Sequence, residues 1–285
     1  MLDNKAIVIT GAGRGIGKEA ALAVASYQAL VVVNDIDGDE ARSVVDEIER
    51  QGGRAVVSDH SVADADQARA LIDLCVTTYG RIDGLVNNAG LVSTEDPWLA
   101  LPEDIDRLVD VNVKGMFFVG TAALAKMQEQ RSGVVVNLTS RTHAGAPSQA
   151  LYASTKGAAA SATYGWALDM APYGVRVVAF SPLAVTRMWD QSASVAPTDN
   201  APEASAVALG IPYLLSDRAK KLSGQVLRFD GKKLSLMKLP RYDDPLVERA
   251  SFTVDDIADV IDNELADHIC PVGVARLDLT HVGWS

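Results

Sequence analysis

The sequence predicts one doubly wound α/β domain, with a central parallel sheet covered by helices on both faces. Short apolar runs alternate with helical patterns along most of the 285 residues. The runs lack polar–apolar alternation, which is typical of strands buried on both faces. No Pro/Gly/Ser-rich linker divides the chain, and 48% of its residues are hydrophobic. We therefore expect a single domain over residues 1–285, built around a seven-stranded sheet.

Seven runs rich in Val, Ile and Leu predict the strands. These runs are Ala6–Thr10, Ala29–Asn34, Arg54–Ser58, Gly84–Asn87, Val134–Thr139, Val175–Phe180 and Gln225–Phe229. Helical patterns fill most of the gaps between them, at Gly15–Tyr27, Gly38–Gln51, Ala63–Tyr79, Pro102–Met127 and Tyr152–Tyr173. This β-α-β-α order is typical of parallel strands joined by crossover helices.

Two regions interrupt the order. Residues 187–212 have little apolar patterning and predict a substrate loop, either mobile or made of short helices. Residues 232–285 form a C-terminal extension that we expect to pack on the domain. Within it, Thr253 is a predicted helix cap, and Asp256 follows where an acid stabilises a helix N-terminus.

Composition excludes several classes of function. The chain carries 37 acidic and 26 basic residues, a formal charge of −11. That charge disfavours binding to nucleic acid or to an anionic membrane. The two cysteines, Cys75 and Cys270, suit neither a disulfide framework nor a metal cluster, so no metal is expected. We see no signal peptide and no run of apolar residues long enough for a membrane helix, so we expect a cytoplasmic protein.

A glycine-rich turn joins the first predicted strand to the first helix, with the sequence Gly11-Ala12-Gly13-Arg14-Gly15-Ile16-Gly17. Backbone N–H groups in such a turn, together with the positive end of the helix, can bind a pyrophosphate. Glycine lets the backbone approach the phosphates because it has no Cβ. The alternative is an ordinary tight connection between strand and helix.

Acidic residues end the second and third predicted strands. Asp35 lies about twenty residues past the glycines, where a carboxylate can accept hydrogen bonds from ribose hydroxyls. A 2′-phosphate would meet a like charge there, so NAD is favoured over NADP. Arg14 argues against this preference for NAD, since a basic residue in the turn can bind a 2′-phosphate. Asp59 either holds the adenine or caps the next helix.

Four polar residues predict acid–base chemistry. Tyr152 and Lys156 are four residues apart in a helical pattern, which places them on one face. A nearby ammonium stabilises phenolate, so we expect Lys156 to lower the pKa of Tyr152. Ser140 follows the fifth predicted strand, where a hydroxyl can bind a carbonyl oxygen. Asn112 is a poor helix former inside a helical pattern and either binds a water or is an ordinary buried amide.

With these motifs the sequence resembles the short-chain dehydrogenase/reductase family in its compact, single-domain form. The resemblance covers most of residues 5–230 and implies a Rossmann fold with seven parallel strands. It rests on Thr10 to Gly17, Asn87-Asn88-Ala89-Gly90, Asn112, Ser140, and Tyr152 with Lys156.

The family resemblance implies a role for each of these residues. Tyr152 would exchange the proton with the substrate, Lys156 would hold the nicotinamide ribose, and Ser140 would polarise the carbonyl. Asn112 would hold a water in a proton relay. The cofactor would also contact Asn88, Ala89, Gly90, Pro182 and Thr186.

The sequence departs from the family pattern at two places. The stretch from Ser140 to Tyr152 is one residue shorter than usual, so Thr139 is a rival to Ser140, which we favour. Leu183 stands after Pro182, where a glycine is common in the family.

We expect a small-molecule substrate, a secondary alcohol or ketone of apolar or aromatic character. Its candidate contacts are Val92, Trp98, His143 and Trp189, although the tryptophans can equally be packing residues and a lone loop histidine is more often solvated. The resemblance also implies a homo-oligomer, a dimer or tetramer. The alternative function is an NAD-binding sensor or scaffold without turnover.

Overall fold

The computed structural model describes residues 1–183, 202–240, 247–268 and 273. Eight strands form one sheet in the order β3-β2-β1-β4-β5-β6-β7-β8. The first seven run parallel, and β8 pairs with β7 antiparallel. The strands are β1 Ala6–Thr10, β2 Leu30–Asn34, β3 Arg54–Ser58, β4 Gly84–Asn87, β5 Gly133–Leu138, β6 Val175–Pro182, β7 Val226–Phe229 and β8 Leu234–Leu236.

The predicted fold class is confirmed, and the predicted count of seven strands is wrong by one. The extra strand, β8, is a three-residue strand in the C-terminal extension whose residues are all exposed. It has no buried face, so no hydrophobic pattern marks it in the sequence.

Helices cover both faces of the sheet, as predicted. They are α1 Gly15–Ser26, α2 Gly38–Arg50, α3 Ala65–Tyr79, α4 Pro102–Val109, α5 Met116–Gln130, α6 Ala150–Met170, α7 Ala204–Ala208, α8 Gly210–Leu215 and α9 Val254–Asn263. The short helices α7 and α8 fall at the end of the predicted substrate loop, whose residues 187–201 lie outside the described residues.

Two hydrophobic cores lie on opposite faces of the sheet. Alternate residues of one strand enter different cores: Ile9 packs with residues of α1 and α8, while Val8 packs with residues of α3 and α5. In β6 the same alternation sends Phe180 to the first core and Val177 to the second. Burial of both faces explains why the strands read as continuous apolar runs.

The predicted helix Pro102–Met127 is interrupted. A π-helical segment, Asp110–Gly115, separates α4 from α5 and contains Asn112. The whole stretch Pro102–Gln130 is long and apolar enough to resemble a membrane span by length and composition. One side of α5, including Val119 and Met127, is fully buried in the core.

Side chains cap three of the helices. Asp37 caps α2 and Asp64 caps α3, so the alternative that Asp59 caps the third helix is wrong. Thr253 caps α9 and forms a capping box with Asp256, which confirms that prediction. The N-terminus of α1 has no side-chain cap.

The strand order fixes where a ligand can approach. The chain runs outward through β1, β2 and β3 and then returns to place β4 on the other side of β1. Helices leave β1 and β4 on opposite faces of the sheet, which opens a crevice at the carboxyl ends of these two strands.

Candidate active site

The glycine-rich turn lies at this crevice and leaves no room for side chains. Gly11 and Gly15 have φ of +60° and +54°, in the left-handed region that favours glycine. A Cβ on Gly11 would lie 2.8 Å from the Cα of Ala89. A Cβ on Gly13 would lie 2.9 Å from Asp35 Oδ2. The turn therefore exposes bare backbone at the crevice.

The loop after β4 holds this turn in place. Asn88 Nδ2 donates to the carbonyl oxygens of Thr10 and Gly11, each at 2.8 Å. In return, Thr10 Oγ1 accepts from the backbone N–H groups of Asn88 at 3.1 Å and Ala89 at 3.0 Å. The Asn88 side chain is thus committed to the protein, and its contribution at the crevice is to shape the backbone of the turn.

The N-terminus of α1 is suited to an anion. Its N-cap residue, Arg14, makes no side-chain cap, so the first N–H groups of the helix lack side-chain acceptors. Arg14 instead bonds Asp37 Oδ2 at 2.5 Å and Glu40 Oε1 at 2.9 Å. Ile16 is partly buried and packs against the hydrophobic core. A pyrophosphate would supply the acceptors that this helix end lacks.

Acidic groups surround the place where β2 ends. Asp35 Oδ2 accepts from Gly13 N at 2.9 Å, and Oδ1 accepts from Asp37 N at 3.1 Å. Asp35 thus lies directly against the glycine-rich turn. Asp59 is exposed at the end of β3, with its Cβ 3.4 Å from where a Cβ on Gly38 would be.

Tyr152 and Lys156 lie together on α6, as the spacing predicts. Both are buried, with 9% and 7% of their surface exposed. Lys156 Nζ lies 5.8 Å from the centroid of the Tyr152 ring and donates to the Leu138 carbonyl at 3.0 Å. Burial lowers the pKa of Lys156 to about 8.

The expected direction of the Tyr152 shift is wrong for this structure. Burial raises the pKa of Tyr152 to about 12, and a hydrogen bond with Ser140 opposes the rise. The reason is that phenolate loses more hydration in the buried site than its neighbours return. In this structure, therefore, Tyr152 is a neutral phenol at physiological pH.

Ser140 and Thr139 have different partners. Ser140 Oγ accepts from Thr142 N at 3.3 Å and from Thr142 Oγ1 at 3.0 Å, and the same hydroxyl is near enough to Tyr152 to lower the pKa of the phenol. Thr139 Oγ1 is buried and donates to the Lys156 carbonyl at 2.8 Å. Ser140 therefore faces the phenol, while Thr139 anchors α6 to the end of β5.

Asn112 joins its own π-helical segment to the loop of Leu91 and to α6. Its Oδ1 accepts from Leu91 N at 2.7 Å, and its Nδ2 donates to the Leu91 carbonyl at 2.9 Å and to Thr155 Oγ1 at 3.0 Å. Gly90 lies beside it, where a Cβ would be 3.4 Å from Lys156 Nζ. The amide is thus a buried group with protein partners, placed by the π-helical segment next to Lys156.

A second buried network behind the site was missed in the sequence. Asn87 Nδ2 donates to Asn137 Oδ1 at 2.9 Å, and Asn137 Nδ2 donates to Thr163 Oγ1 at 3.0 Å. The network connects β4 and β5 to α6. The available signal was the pair of asparagines near the ends of two apolar runs, since a buried amide needs a partner.

The candidate substrate residues differ in burial and in their contacts. Val92 is half-buried, while Trp98 is 79% exposed, so Trp98 is not a packing residue in this structure. His143 is not merely solvated: its Nδ1 lies 2.5 Å from the Ser140 carbonyl oxygen and 3.2 Å from Thr139 Oγ1. Trp189 lies outside the described residues.

The end of β6 is only partly described. Pro182 is its last residue and is half-buried. Leu183 follows it and donates its backbone N–H to the Phe229 carbonyl at 3.1 Å. Thr186, the implied carboxamide contact, lies outside the described residues.

Comparisons with known proteins agree with this geometry. A family model described as short chain dehydrogenase matches residues 5–195. The 3-oxoacyl-(acyl-carrier-protein) reductase FabG of Staphylococcus aureus is 34% identical over 238 residues, which are 80% of this chain and 97% of that protein.

Solved structures are similar as well, and two of them follow. A short chain dehydrogenase from Mycobacterium avium has a TM-score of 0.84 and 33% identity, covering 93% of this chain and 96% of that one. A 7α-hydroxysteroid dehydrogenase complexed with NADH and 7-oxo glycochenodeoxycholic acid has a TM-score of 0.76 and 31% identity, covering 81% of this chain and 94% of that one.

Proposed function

Because this chain is an oxidoreductase that belongs to the short-chain dehydrogenase/reductase family, we propose that it uses NAD to interconvert a secondary alcohol and its ketone. One observation carries the proposal: the Ser140 hydroxyl is near enough to the Tyr152 phenol to lower its pKa, and the Lys156 amine lies 5.8 Å from the centroid of the same tyrosine ring. A phenol, a hydroxyl and an amine grouped in this way can handle the proton of a carbonyl or carbinol oxygen.

Tyr152 holds the proton that moves. With a pKa of about 12 the phenol is protonated at neutral pH, so it is ready to donate to the oxygen of a ketone. In alcohol oxidation the same oxygen must first lose its proton to act as a base. Lys156, whose pKa is about 8, carries its charge at neutral pH and stabilises the phenolate form.

Ser140 is arranged to donate. A hydroxyl has one donor and two acceptor positions. The two acceptor positions of Ser140 face Thr142 N and Thr142 Oγ1, which leaves its own proton to point toward Tyr152 or a substrate oxygen. Asn112 holds Leu91 and Thr155 in place beside Lys156 and so fixes the position of the amine.

The crevice suits a dinucleotide. Bound nicotinamide would supply the hydride acceptor or donor, which no side chain can provide. The uncapped end of α1 and the glycine-rich turn would hold the pyrophosphate. Asp35 would bind the adenosine ribose, and Asp35, Asp37 and Glu40 outnumber the single base Arg14, so a 2′-phosphate would be repelled.

The proposed function extends to the class of substrate and to the oligomeric state. A small, mainly apolar alcohol or ketone would lie between Ser140, Tyr152 and the loop that contains Val92. Exposed apolar residues on α5 and α6, Phe117 and Leu168 among them, support a homo-oligomer, a dimer or tetramer. The proposed location is the cytoplasm, as expected from the sequence.

The test is the appearance of NADH absorbance when the protein is given NAD and a panel of aromatic, cyclic and aliphatic secondary alcohols. We expect turnover by the parent and a loss of about 1,000-fold in Tyr152→Phe. Tyr164→Phe is the matched control, because Tyr164 lies half-buried on the same helix and should retain activity. NAD binding without turnover over the whole panel would contradict the proposal and favour a sensor or scaffold.

A further inference from the structure

Two buried polar groups near the active site have no partner. Ser181 Oγ in β6 and Arg228 Nη1 in β7 make no hydrogen bond, and they are the buried side-chain atoms without one in the described part of the chain. Ser181 is fully buried and Arg228 is half-buried. Native proteins satisfy most buried polar groups, so each exception calls for an explanation such as a missing ligand.

These two groups are neighbours. Ser181 is the register partner of Arg228 in the parallel ladder of β6 and β7, so their side chains leave the same face of the sheet. Val177 precedes Ser181 by four residues in β6, so the two side chains lie on the same face of the sheet. Helix α6 covers that face, because Val177 packs in the core with Ala167 and Met170 of α6. The catalytic Tyr152 and Lys156 lie on the same helix.

The pair also lies at the level of the catalytic serine. Thr139 N donates to the Phe180 carbonyl at 2.8 Å, so the ladder continues from β5 to the residue that precedes Ser181. Thr139, Ser181 and Arg228 therefore follow one another across three adjacent strands. Two strand spacings place the Arg228 backbone about 10 Å from Thr139, the residue before Ser140.

Positive charge accumulates at this corner. Arg141 follows Ser140 and is exposed, and its charge lowers the pKa of Arg228 further below the value that burial alone would give. The acid that opposes it, Asp230, is engaged elsewhere, since its Oδ1 accepts from the backbone N–H groups of Lys232 at 3.0 Å and Lys233 at 2.6 Å. No ion pair joins Arg228 to a carboxylate among the described residues.

We infer that Arg228, with Ser181 and Arg141, binds a carboxylate carried by the substrate. This inference rests on the proposed function and narrows it to hydroxy acids and oxo acids. A carboxylate would accept from the free Arg228 nitrogen and from the Ser181 hydroxyl, and it would relieve the repulsion between the two guanidinium groups. The reacting carbinol would then lie at Ser140 and Tyr152, with the acid group several bonds away.

The experiment compares acids with their neutral esters. The substrates are 5-hydroxyhexanoate, 7-hydroxyoctanoate and 9-hydroxydecanoate, each with its methyl ester, together with 2-octanol. We expect kcat/KM of the parent for the best acid to exceed that of its ester by about 10- to 100-fold, chiefly through KM. Arg228→Gln should abolish this preference by raising KM for the acid far more than KM for its ester, while Arg228→Lys restores part of the preference.

Further variants keep the test interpretable. Arg141→Gln changes an exposed residue, so it should fold normally and lose about threefold to tenfold in acid preference. Ser181→Ala should lose a similar amount. Arg69→Gln is the control, because it removes the same charge from the exposed surface of α3.

A binding measurement without turnover tests the carboxylate site separately from the proposed function. Calorimetric titration of the parent with octanoate in the presence of NAD should show binding that Arg228→Gln weakens about tenfold or more. Such binding without turnover of any alcohol would contradict the proposed function alone. Turnover of 2-octanol with equal rates for acids and esters would overturn the carboxylate site alone. The site is also overturned if Arg228→Gln keeps the preference for acids. It is overturned as well if the parent protein shows no preference for acids and Arg228→Gln lowers the melting temperature, because Arg228 would then have only a structural role.

Discussion

Buried charged groups at the two ends of the sheet differ in how many hydrogen-bond partners the protein gives them. At the amino end, Asp83 is 6% exposed and accepts from Ala6 N at 2.9 Å and from Arg81 Nε at 2.8 Å and Nη2 at 2.6 Å. Arg176, in β6, donates to the carbonyls of Leu214, Ser216 and Ala219. Asp83 and Arg176 therefore each have several protein partners.

The carboxyl end leaves polar groups short of partners. Within the described residues Lys156 Nζ has one hydrogen bond, to a carbonyl, and burial lowers its pKa to about 8. Burial raises the pKa of Tyr152 to about 12, and the Ser140 hydroxyl opposes this rise only in part. Arg228 has a buried nitrogen with no partner. We infer that Asp83 and Arg176 at the amino end stabilise the fold, while Tyr152, Lys156 and Arg228 at the carboxyl end serve ligand binding at some cost in stability.

Lys156→Met should give the largest effect and separate activity from stability. Turnover should fall by about 100- to 1,000-fold, since the charge that stabilises phenolate is lost. The free energy of unfolding at pH 7 should rise by about 3 kcal/mol, because the pKa of Lys156 falls from 10.5 when unfolded to about 8 when folded. The sign follows because the unfolded chain holds the proton more tightly, so stability is lost as pH falls through this range.

Urea unfolding at pH 7 and pH 10 checks the Lys156 prediction, and the gain in stability should shrink at the higher pH. Lys126→Met, on the surface of α5, is the matched control. If Lys156→Met were less stable and retained turnover, Lys156 would stabilise the fold as Asp83 does, and the proposed difference between the two ends of the sheet would be wrong.

Asp83→Asn should show the reverse pattern. The free energy of unfolding should fall by about 3 kcal/mol, because Arg81 and Ala6 N lose a buried charged acceptor. Turnover per folded molecule should not change. Denaturant titration and initial rates measure both quantities, with Asp66→Asn, on the exposed surface of α3, as control. Loss of turnover without loss of stability would show that the amino end also serves catalysis.

Asp35→Ala should have a smaller effect, confined to the cofactor. Loss of the carboxylate removes an acceptor for the ribose and a repulsive charge, so the ratio of kcat/KM with NADP to that with NAD should rise about 30-fold. Asp39→Asn removes a neighbouring exposed acid in the first turn of α2 and should leave the ratio unchanged. An unchanged ratio in Asp35→Ala would mean that other groups select the cofactor.

Local sequence patterns predicted much of the fold and part of the site. The double burial of the strands shows as apolar runs, so seven strands were located within a few residues. The spacing of Tyr152 and Lys156 placed both on one helical face, and Thr253 marked the start of α9. These features depend on a residue and its near neighbours in the chain.

Features that depend on distant contacts could not be predicted in the same way. The π-helical segment brings Asn112 to Leu91 and Thr155, which lie 21 and 43 residues away in the chain. The direction of the Tyr152 pKa shift depends on how completely other elements bury the phenol. The lack of a partner for Arg228 likewise appears only when β6 and β7 are placed side by side.

The pH dependence of kcat/KM for alcohol oxidation and for ketone reduction tests most directly whether Tyr152 holds the transferred proton. Since burial raises the pKa of the phenol to about 12, phenolate is scarce at neutral pH. Oxidation should therefore accelerate about tenfold per pH unit from about pH 6 toward pH 8, below the pKa of about 8 at which Lys156 loses the charge that stabilises phenolate, while ketone reduction stays nearly constant over that range. Oxidation that is independent of pH from about pH 6 to pH 8 would contradict the account, because the base would already be deprotonated at neutrality.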